Sequence, residues 1–206
     1  MDTYNKSKTA LVLIDVLNDF LAQDGKVHDQ IQPMLEKTDL INNLERLLKG
    51  ARQSGITVIY APHGLDEHSF EDLPQVIPRF QWAKDSKIFW KDSIGADFYK
   101  PLYPIEGEII AARHHMFNSF FGTDLEKQLR AKGIEKVVLA GLTSHTCVEG
   151  TGRHALEAGY HVTFLKDAVS EFTEEAHKAA LEISYPTFGH ENTTVDEFLA
   201  AISDSE

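Results

Sequence analysis

The alternation of short apolar runs with longer amphipathic stretches is the feature that most constrains the fold of this chain. Five apolar runs recur, at residues 10–14, 57–61, 107–112, 137–142 and 161–165. Each run is long enough for one buried strand, and the segments between them can hold helical crossovers. This alternation is typical of a parallel sheet wrapped by helices, and we therefore predict an α/β fold.

Apolar spacing and glycines predict the helices. Four leucines between Leu40 and Leu48 recur at helical spacing, and Gly55 ends that helix. Further helices are expected over residues 124–132, 147–158 and 174–183, and after residue 194. The stretch from Pro62 to Pro104 has no clean period, and we expect it to cross one face of the sheet, partly as a lid.

Two segments have the spacing of a capping box, in which a threonine caps a helix and a glutamate three residues later bonds back to it. Thr146 to Glu149 predicts a helix whose first residue is Cys147, and Thr194 to Glu197 predicts a last short helix. The first of these places a thiol at a helix N-terminus.

Length and composition limit the class of protein. A chain of 206 residues with 42% hydrophobic content favours one domain spanning residues 1–206. Its net charge of -12 would repel phosphate backbones and anionic lipid, so we expect no nucleic-acid or membrane partner. The polar start, the short first apolar run and a single cysteine favour a cytoplasmic protein with a free thiol.

Three chemically active side chains stand at the predicted strand ends. Asp15 ends the first strand, His114 ends the strand at 107–112, and Cys147 follows the strand at 137–142 by a short loop. Ligand sites of open parallel sheets lie beyond the carboxyl ends of the strands. If the first and fourth strands are neighbours, as is common at the switch point of such sheets, these side chains converge.

The position of Cys147 suggests a nucleophile. At a helix N-terminus, unpaired N–H groups and the helix dipole favour the thiolate, so we expect the pKa of the thiol to be lowered. The same N–H groups could hold a developing oxyanion. The alternative is a small buried apolar cysteine, which is the commoner role of a free cysteine.

Two segments carry a resemblance to a known family. ALVLIDVLNDF and MFNSFFGTDLEKQLRAKGIEKVVLAGLTSHTCVEGTGRHALEAGYHVTFLKDA resemble the isochorismatase-like cysteine hydrolases. That family includes nicotinamidases, carbamoylsarcosine and ureidoacrylate amidohydrolases, and isochorismatases. The resemblance implies a three-layer α/β/α fold with a six-stranded parallel sheet, and a homo-oligomer, either a dimer or a tetramer.

The resemblance also implies roles for individual residues. Asp15 matches the family's aspartate and Cys147 its nucleophile, while His114 stands where the family has a lysine. Leu17 is a second departure, because similar sequences usually have glutamine there. Similar proteins have a cis peptide that would fall here at Leu142-Thr143, so that the N–H groups of Thr143 and Cys147 form the oxyanion hole.

His114 has two interpretations. As an imidazolium it could replace the lysine charge beside Asp15, or it could be a strand-end histidine bonded to a backbone carbonyl. The expected reaction is hydrolysis of a C–N bond in a small amide, imide or ureido compound, without a cofactor. The alternatives are a vinyl-ether hydrolase of the isochorismatase type and a family member that has lost turnover and acts as a binding or assembly protein.

Aromatic residues near the expected crevice suggest a small, largely apolar pocket for a planar substrate. Each of these residues could instead belong to the core or to a subunit contact. The candidates for substrate binding are Phe20, His68, Trp82, Trp90 and Phe117.

Two other kinds of site are weaker alternatives. Residues 150–155 match GxGxxA, but Gly150 would lie inside the helix rather than directly after a strand, which argues against a dinucleotide site. His63, Asp66 and His68 could bind a metal, but their spacing does not reproduce that of metal-dependent relatives, so no metal is expected.

Overall fold

The computed structural model describes residues 4–203. Within these residues six parallel strands form one sheet: β1 (Thr9–Ile14), β2 (Thr57–Ala61), β3 (Ile109–Ile110), β4 (Lys136–Leu142), β5 (His161–Ser170) and β6 (Glu191–Thr193). Their order across the sheet is β3-β2-β1-β4-β5-β6. The first and fourth strands are neighbours, paired from Thr9 with Lys136 to Ile14 with Gly141, as predicted.

Helices cover both faces of the sheet. They are α1 (Asn18–Leu21), α2 (His28–Lys37), α3 (Leu40–Ser54), α4 (Pro78–Asp85), α5 (Leu125–Ala131), α6 (Glu149–Glu157), α7 (Glu174–Ala179), α8 (Tyr185–Phe188) and α9 (Val195–Ser203). Two π-helical turns, Ser144–Val148 and Ala180–Ser184, lead into α6 and α8.

Successive side chains of β1 alternate between two hydrophobic cores, and this alternation explains the three layers of the fold. Leu11 and Leu13 belong to one core with α3 and α9, whereas Ala10, Val12 and Ile14 belong to a second core with α5, α6 and α8. Successive side chains of a strand point to opposite faces, so an entirely apolar strand requires helices on both sides. The three-layer α/β/α fold with a six-stranded parallel sheet is therefore confirmed.

Several elements were absent from the prediction, among them the short helices α1, α4 and α8, and also α2 and β6. Helix α2 contains Pro33 and begins without a side-chain cap, so the usual start signal is missing. Strand β6 has only three half-buried polar residues, Glu191–Thr193, and forms the sheet edge beside β5. Strand β6 therefore lacks the apolar run that identifies a buried strand, whereas α2 has apolar residues at helical spacing, Ile31, Met34 and Leu35, but no start signal.

The segment between β2 and β3 contains α4 and two short 3-10 turns, Ile94–Ala96 and Lys100–Leu102. Asp19, which follows β1, anchors it by accepting a hydrogen bond from the backbone N–H of Phe89 at 2.6 Å. The same carboxylate accepts from the N–H of Lys26 at 3.1 Å. This buried carboxylate thus holds the loop region beside the carboxyl end of β1.

Within residues 4–203, every helix is too short or too polar to cross a lipid bilayer.

Candidate active site

The ends of β1 and β4 approach each other closely because one residue has no side chain. A Cβ added to Gly141 would lie 2.0 Å from the carbonyl oxygen of Ile14, and its φ of +119° is a conformation that side chains disfavour. Asp15 follows with a φ of 53°, in the left-handed region that aspartate tolerates better than most residues. The chain therefore turns sharply at both strand ends, and Asp15 lies close to the turn after β4 that contains Cys147.

Asp15 is a buried carboxylate with only 1% of its surface exposed. Its Oδ1 accepts the backbone N–H of His63 at 2.6 Å and Nε2 of His114 at 2.9 Å. Burial alone would raise the pKa of this carboxyl, but the charge and hydrogen bond of His114 outweigh burial and lower the pKa below 3.8. Its Oδ2 is buried without a partner of good hydrogen-bond geometry among residues 4–203. Asp15 is thus ionised, and its Oδ2 is available to the neighbouring thiol of Cys147.

His114 is fully buried between two acceptors. Its Nδ1 donates to the carbonyl of Met116 at 2.6 Å, and its Nε2 donates to Asp15. Both ring nitrogens must carry hydrogen to make these bonds, so the ring is an imidazolium. Burial opposes this charge, but Asp15 and the carbonyl outweigh it and raise the pKa of His114 above 6.5. His114 therefore carries positive charge beside Asp15 and also bonds to a backbone carbonyl, so each of its two interpretations describes one of its contacts.

The backbone around His114 differs from the prediction in one respect. Strand β3 is limited to Ile109–Ile110, and His114 follows it after a break. It is held instead by a parallel bridge to His63, in which its N–H donates to the carbonyl of Pro62 at 3.1 Å. The strand-end prediction was therefore wrong about the strand, whereas the convergence with Asp15 is found.

Cys147 lies in the π-helical turn Ser144–Val148, not at the first position of a helix. The predicted capping box at Thr146 is wrong, because the turn already begins at Ser144 and the N–H of Thr146 donates to the carbonyl of Thr143 at 3.2 Å. Glu149 instead accepts from Arg153 at 3.0 Å and contacts Nδ1 of His145 at 3.1 Å. The second predicted capping box, Thr194 with Glu197, is present.

The pKa of the Cys147 thiol is raised well above 9, and the prediction of a lowered pKa was wrong. Burial is the largest cause, since only 6% of the residue is exposed, and the negative charge and hydrogen bonding of Asp15 add to it. Hydrogen bonds from Thr146 and Thr143 act in the other direction and are outweighed. The resting site is therefore a neutral thiol beside an ionised carboxylate.

The turn Ser144–Val148, called the nucleophile turn below, is held by side chains from the elements that follow it. The carboxylate of Glu171, directly after β5, accepts the N–H of His145 at 3.0 Å. The hydroxyl of Tyr185 in α8 donates to the carbonyl of Ser144 at 3.1 Å. The hydroxyl of Ser144 lies 3.2 Å from Nδ1 of His177 in α7. These bonds hold the backbone that presents Cys147.

The Leu142-Thr143 peptide bond is cis, as predicted. Thr143 and Cys147 both line a cavity at the carboxyl ends of the strands. Its empty volume is about 520 Å³ with the open mouth included.

The cavity contains three of the five residues predicted to bind substrate: Phe20, Trp82 and Phe117 line it. His68 is exposed and bonds to Glu71 in a surface turn, and Trp90 lies outside the cavity lining, where Lys87 packs over its ring. Residues that the sequence analysis did not assign to substrate binding also line it: His63, Arg79, Phe80, Phe89, Thr146 and Phe172. Of these, His63 and Phe172 follow strands β2 and β5 closely, and this position is a signal that could have identified them.

His63 is an uncharged part of the cavity wall. Burial is the main cause that lowers its pKa to about 3, and the positive charge of His114, 5.0 Å away between ring centroids, adds to it. The ring also packs against Phe89 at 5.3 Å. His63 therefore contributes a neutral imidazole to the wall, and its backbone N–H donates a hydrogen bond to Asp15.

The structure does not bring the metal candidates together. Asp66 and His68 lie in the surface turn with Ser69, while His63 is buried beside Asp15. Within residues 4–203, no group of three or more histidine, cysteine or acidic residues is arranged to hold a metal ion. Gly150 lies inside α6, as expected, so the GxGxxA match has no phosphate-binding context.

The fold and this site define a class: an α/β protein with a thiol and a carboxylate at adjacent strand ends. The model of the isochorismatase domain matches residues 9–196. The chain therefore belongs to the isochorismatase family of hydrolases.

Individual relatives cover most of the chain. It is 30% identical to the uncharacterised isochorismatase family protein YwoC of Bacillus subtilis, over 95% of this chain and 94% of that protein. It is 26% identical to the ureidoacrylate amidohydrolase RutB of Variovorax paradoxus, over 96% of this chain and 82% of that protein. The crystal structure of a cysteine hydrolase from Pseudomonas syringae has the same fold, with a TM-score of 0.84 at 22% identity, covering 100% of this chain and 97% of that one.

Proposed function

We propose that this protein hydrolyses the C–N bond of a small amide, imide or ureido compound through a thioester formed on Cys147. The observation that carries the proposal is a cavity-lining thiol beside a buried carboxylate, whose Oδ2 has no partner of good hydrogen-bond geometry among residues 4–203. A thiol is a weak nucleophile until a base removes its proton, and Asp15 is such a base. The amidohydrolase among the relatives supports the same reaction class.

The first half of the reaction forms the thioester. Asp15 Oδ2 takes the proton of Cys147, and the sulfur attacks the carbonyl carbon of the substrate. The oxygen becomes negatively charged in the tetrahedral intermediate, where the backbone N–H groups of Thr143 and Cys147 stabilise it. When the C–N bond breaks, the amine leaves with the proton that Asp15 received.

The second half releases the acid. Asp15, again ionised, removes a proton from water as it attacks the thioester carbon. The C–S bond then breaks, the proton returns to the sulfur, and the acid leaves, which is a carboxylic acid for an amide or imide and a carbamic acid for a ureide. His114 holds Asp15 by its 2.9 Å hydrogen bond throughout and supplies the fixed positive charge that a lysine supplies in similar sequences.

Phe20, Trp82 and Phe117 form apolar surfaces of the cavity and suit a planar substrate body. Vinyl-ether hydrolysis of the isochorismatase type remains the alternative, but it does not require a covalent step. A nucleophile turn held by Glu171 and Tyr185, with its thiol facing both a base and a cavity, favours the covalent route. These same features argue against a member that has lost turnover.

A panel of small amides, imides and ureides, assayed for release of ammonia or amine, tests the proposal. Cys147→Ala and Asp15→Asn should each abolish turnover of any substrate found. His68→Ala, an exposed residue outside the cavity, is the control and should leave the rate unchanged. Retained turnover in the Cys147 variant would overturn the mechanism.

A further inference from the structure

Arg79 differs from every other arginine in the chain. The other five each donate hydrogen bonds to a carboxylate or to a backbone carbonyl. Within residues 4–203, Arg79 makes neither kind of bond. In a chain with 32 acidic and 20 basic residues, an arginine that donates to neither a carboxylate nor a backbone carbonyl requires an explanation.

The position of Arg79 supplies that explanation. It lines the same cavity as Cys147 and Thr143, and it is exposed at the cavity mouth. Trp82, one turn further along α4, lines the cavity from the same helix face. The guanidinium can therefore contact a molecule that enters the cavity.

The guanidinium is held in place by aromatic rings. Its central carbon lies 6.0 Å from the ring centroid of Phe117 and 5.6 Å from that of Phe172. These cation-π contacts favour this position of the group but leave its five N–H donors without a protein acceptor among residues 4–203, since a ring face attracts the charge without taking up these hydrogen bonds. Planar guanidinium with free donors is suited to bidentate binding of a carboxylate.

Arg79 is also the only permanently charged side chain among the cavity-lining residues that the structure describes. The remaining lining is aromatic, aliphatic or neutral and polar, and the chain as a whole carries a net charge of -12. A negatively charged ligand would thus meet one favourable charge on its path to the thiol, whereas a cationic ligand would meet an unfavourable one.

We infer that Arg79 binds a carboxylate of the substrate, so that the preferred substrates are small amides or ureides that also carry a carboxylate group. The scissile C–N bond lies at Cys147 and the acid points to the cavity mouth. This inference rests on the proposed function, which places the scissile bond at Cys147. It adds that the preferred substrate carries a negative charge.

Matched substrate pairs test it. The pair of 4-carbamoylbenzoate and 4-nitrobenzamide has similar shape, as nitro and carboxylate groups are both planar, but differs in charge. N-carbamoylglycine and N-carbamoylglycinamide form a second pair. We expect the wild-type kcat/KM to favour the charged member about tenfold or more, mainly through KM, as one charge-assisted contact accounts for that factor.

Arg79→Met should remove this preference, and Arg79→Lys should retain part of it, because lysine keeps the charge without the bidentate geometry. Arg130→Met is the matched control: Arg130 also lies over a ring, that of Tyr160 at 4.5 Å, but outside the cavity. This control should leave the preference intact. The inference would be overturned if Arg79→Met lowered kcat/KM by the same factor for the charged and the neutral member of a pair, or lowered it for neither.

A binding measurement separates this inference from the proposed function. Tryptophan fluorescence, with Trp82 in the cavity, can follow titration with 4-carbamoylbenzoate and with 4-nitrobenzamide. Arg79-dependent binding of the acid, with no amide, imide or ureide of the panel hydrolysed, supports the inference and contradicts the proposed function. Hydrolysis of both members with equal kcat/KM supports the proposed function and contradicts the inference.

Discussion

His114 and Asp15 form a buried ion pair, with Nε2 of the ring 2.9 Å from Oδ1 of the carboxylate and both side chains excluded from solvent. The second ring nitrogen donates to the carbonyl of Met116 at 2.6 Å, so neither neutral tautomer satisfies both contacts. A histidine in this position therefore carries the charge of a lysine, but only while the pH stays below its raised pKa.

The first prediction concerns the pH dependence that this histidine introduces. The pKa of His114 is raised above 6.5 in the folded protein. Its stabilising contribution is therefore complete below pH 6.5 and is lost as the pH rises through the folded value. Because Asp15 is held by the same contact, kcat should fall over the same alkaline range.

His114→Lys should move the alkaline limit of kcat to higher pH, since lysine remains charged there. His114→Gln should lower kcat at every pH by roughly 100-fold, because it removes the charge beside the base. His68→Lys serves as the control for an added lysine at an exposed position. An unchanged alkaline limit in His114→Lys would show that this ion pair does not govern the pH profile.

The second prediction concerns the reactivity of the thiol. The charge of Asp15 raises the pKa of Cys147 in addition to burial, so Asp15→Asn should lower the thiol pKa toward its usual value. The variant should then react faster with iodoacetamide at pH 8 than the wild type, although it has lost turnover. The measurement is the alkylation rate as a function of pH.

Asp19→Asn is the matched control for this experiment, since Asp19 is a second buried carboxylate that bonds to Lys26 and Phe89 rather than to the thiol. It should leave the pH profile of alkylation unchanged. Slower alkylation in Asp15→Asn than in the wild type would mean that the carboxylate favours the thiolate, contrary to the account given above.

The third prediction concerns the approach of the two strand ends. Gly141→Ala would force a Cβ to within 2.0 Å of the Ile14 carbonyl oxygen, and backbone atoms on both strands would have to move. We expect a loss of more than about 3 kcal/mol in the free energy of unfolding, measured by urea denaturation.

Gly107→Ala separates the clash from the backbone conformation. Gly107 also has a positive φ, of +91°, but a Cβ there would have no atom within 4 Å. This variant should lose only about 1 kcal/mol. If the two variants lost the same amount, the close contact between β1 and β4 would have no special cost.

Sequence patterns predicted the central part of the fold because it depends on burial. The apolar runs of β1, β2 and β4 have almost the observed bounds, since strands covered on both faces require continuous apolar sequence. The edge strand β6 has half-buried polar residues and gives no such signal. Asp15 and Cys147 were identified because strand ends are local features of the sequence.

Properties that depend on distant contacts could not be predicted from local sequence. The spacing of Thr146 and Glu149 predicted a cap, but Glu149 bonds to Arg153 and the helix begins earlier. The thiol pKa was predicted from a helix terminus, whereas burial and Asp15 determine it. Arg79 and Phe80 come to the cavity from a segment without a periodic pattern, so only the folded chain identifies them.

The most direct test of the central claim is to trap the covalent intermediate. A substrate found in the amide panel is mixed with enzyme in a single turnover and quenched in acid, and the intact mass is then measured. We predict a mass increase equal to the acyl group, located on the peptide that contains Cys147 and removed by hydroxylamine. Substrate consumption without any adduct on Cys147, together with full activity of Cys147→Ser, would contradict the account.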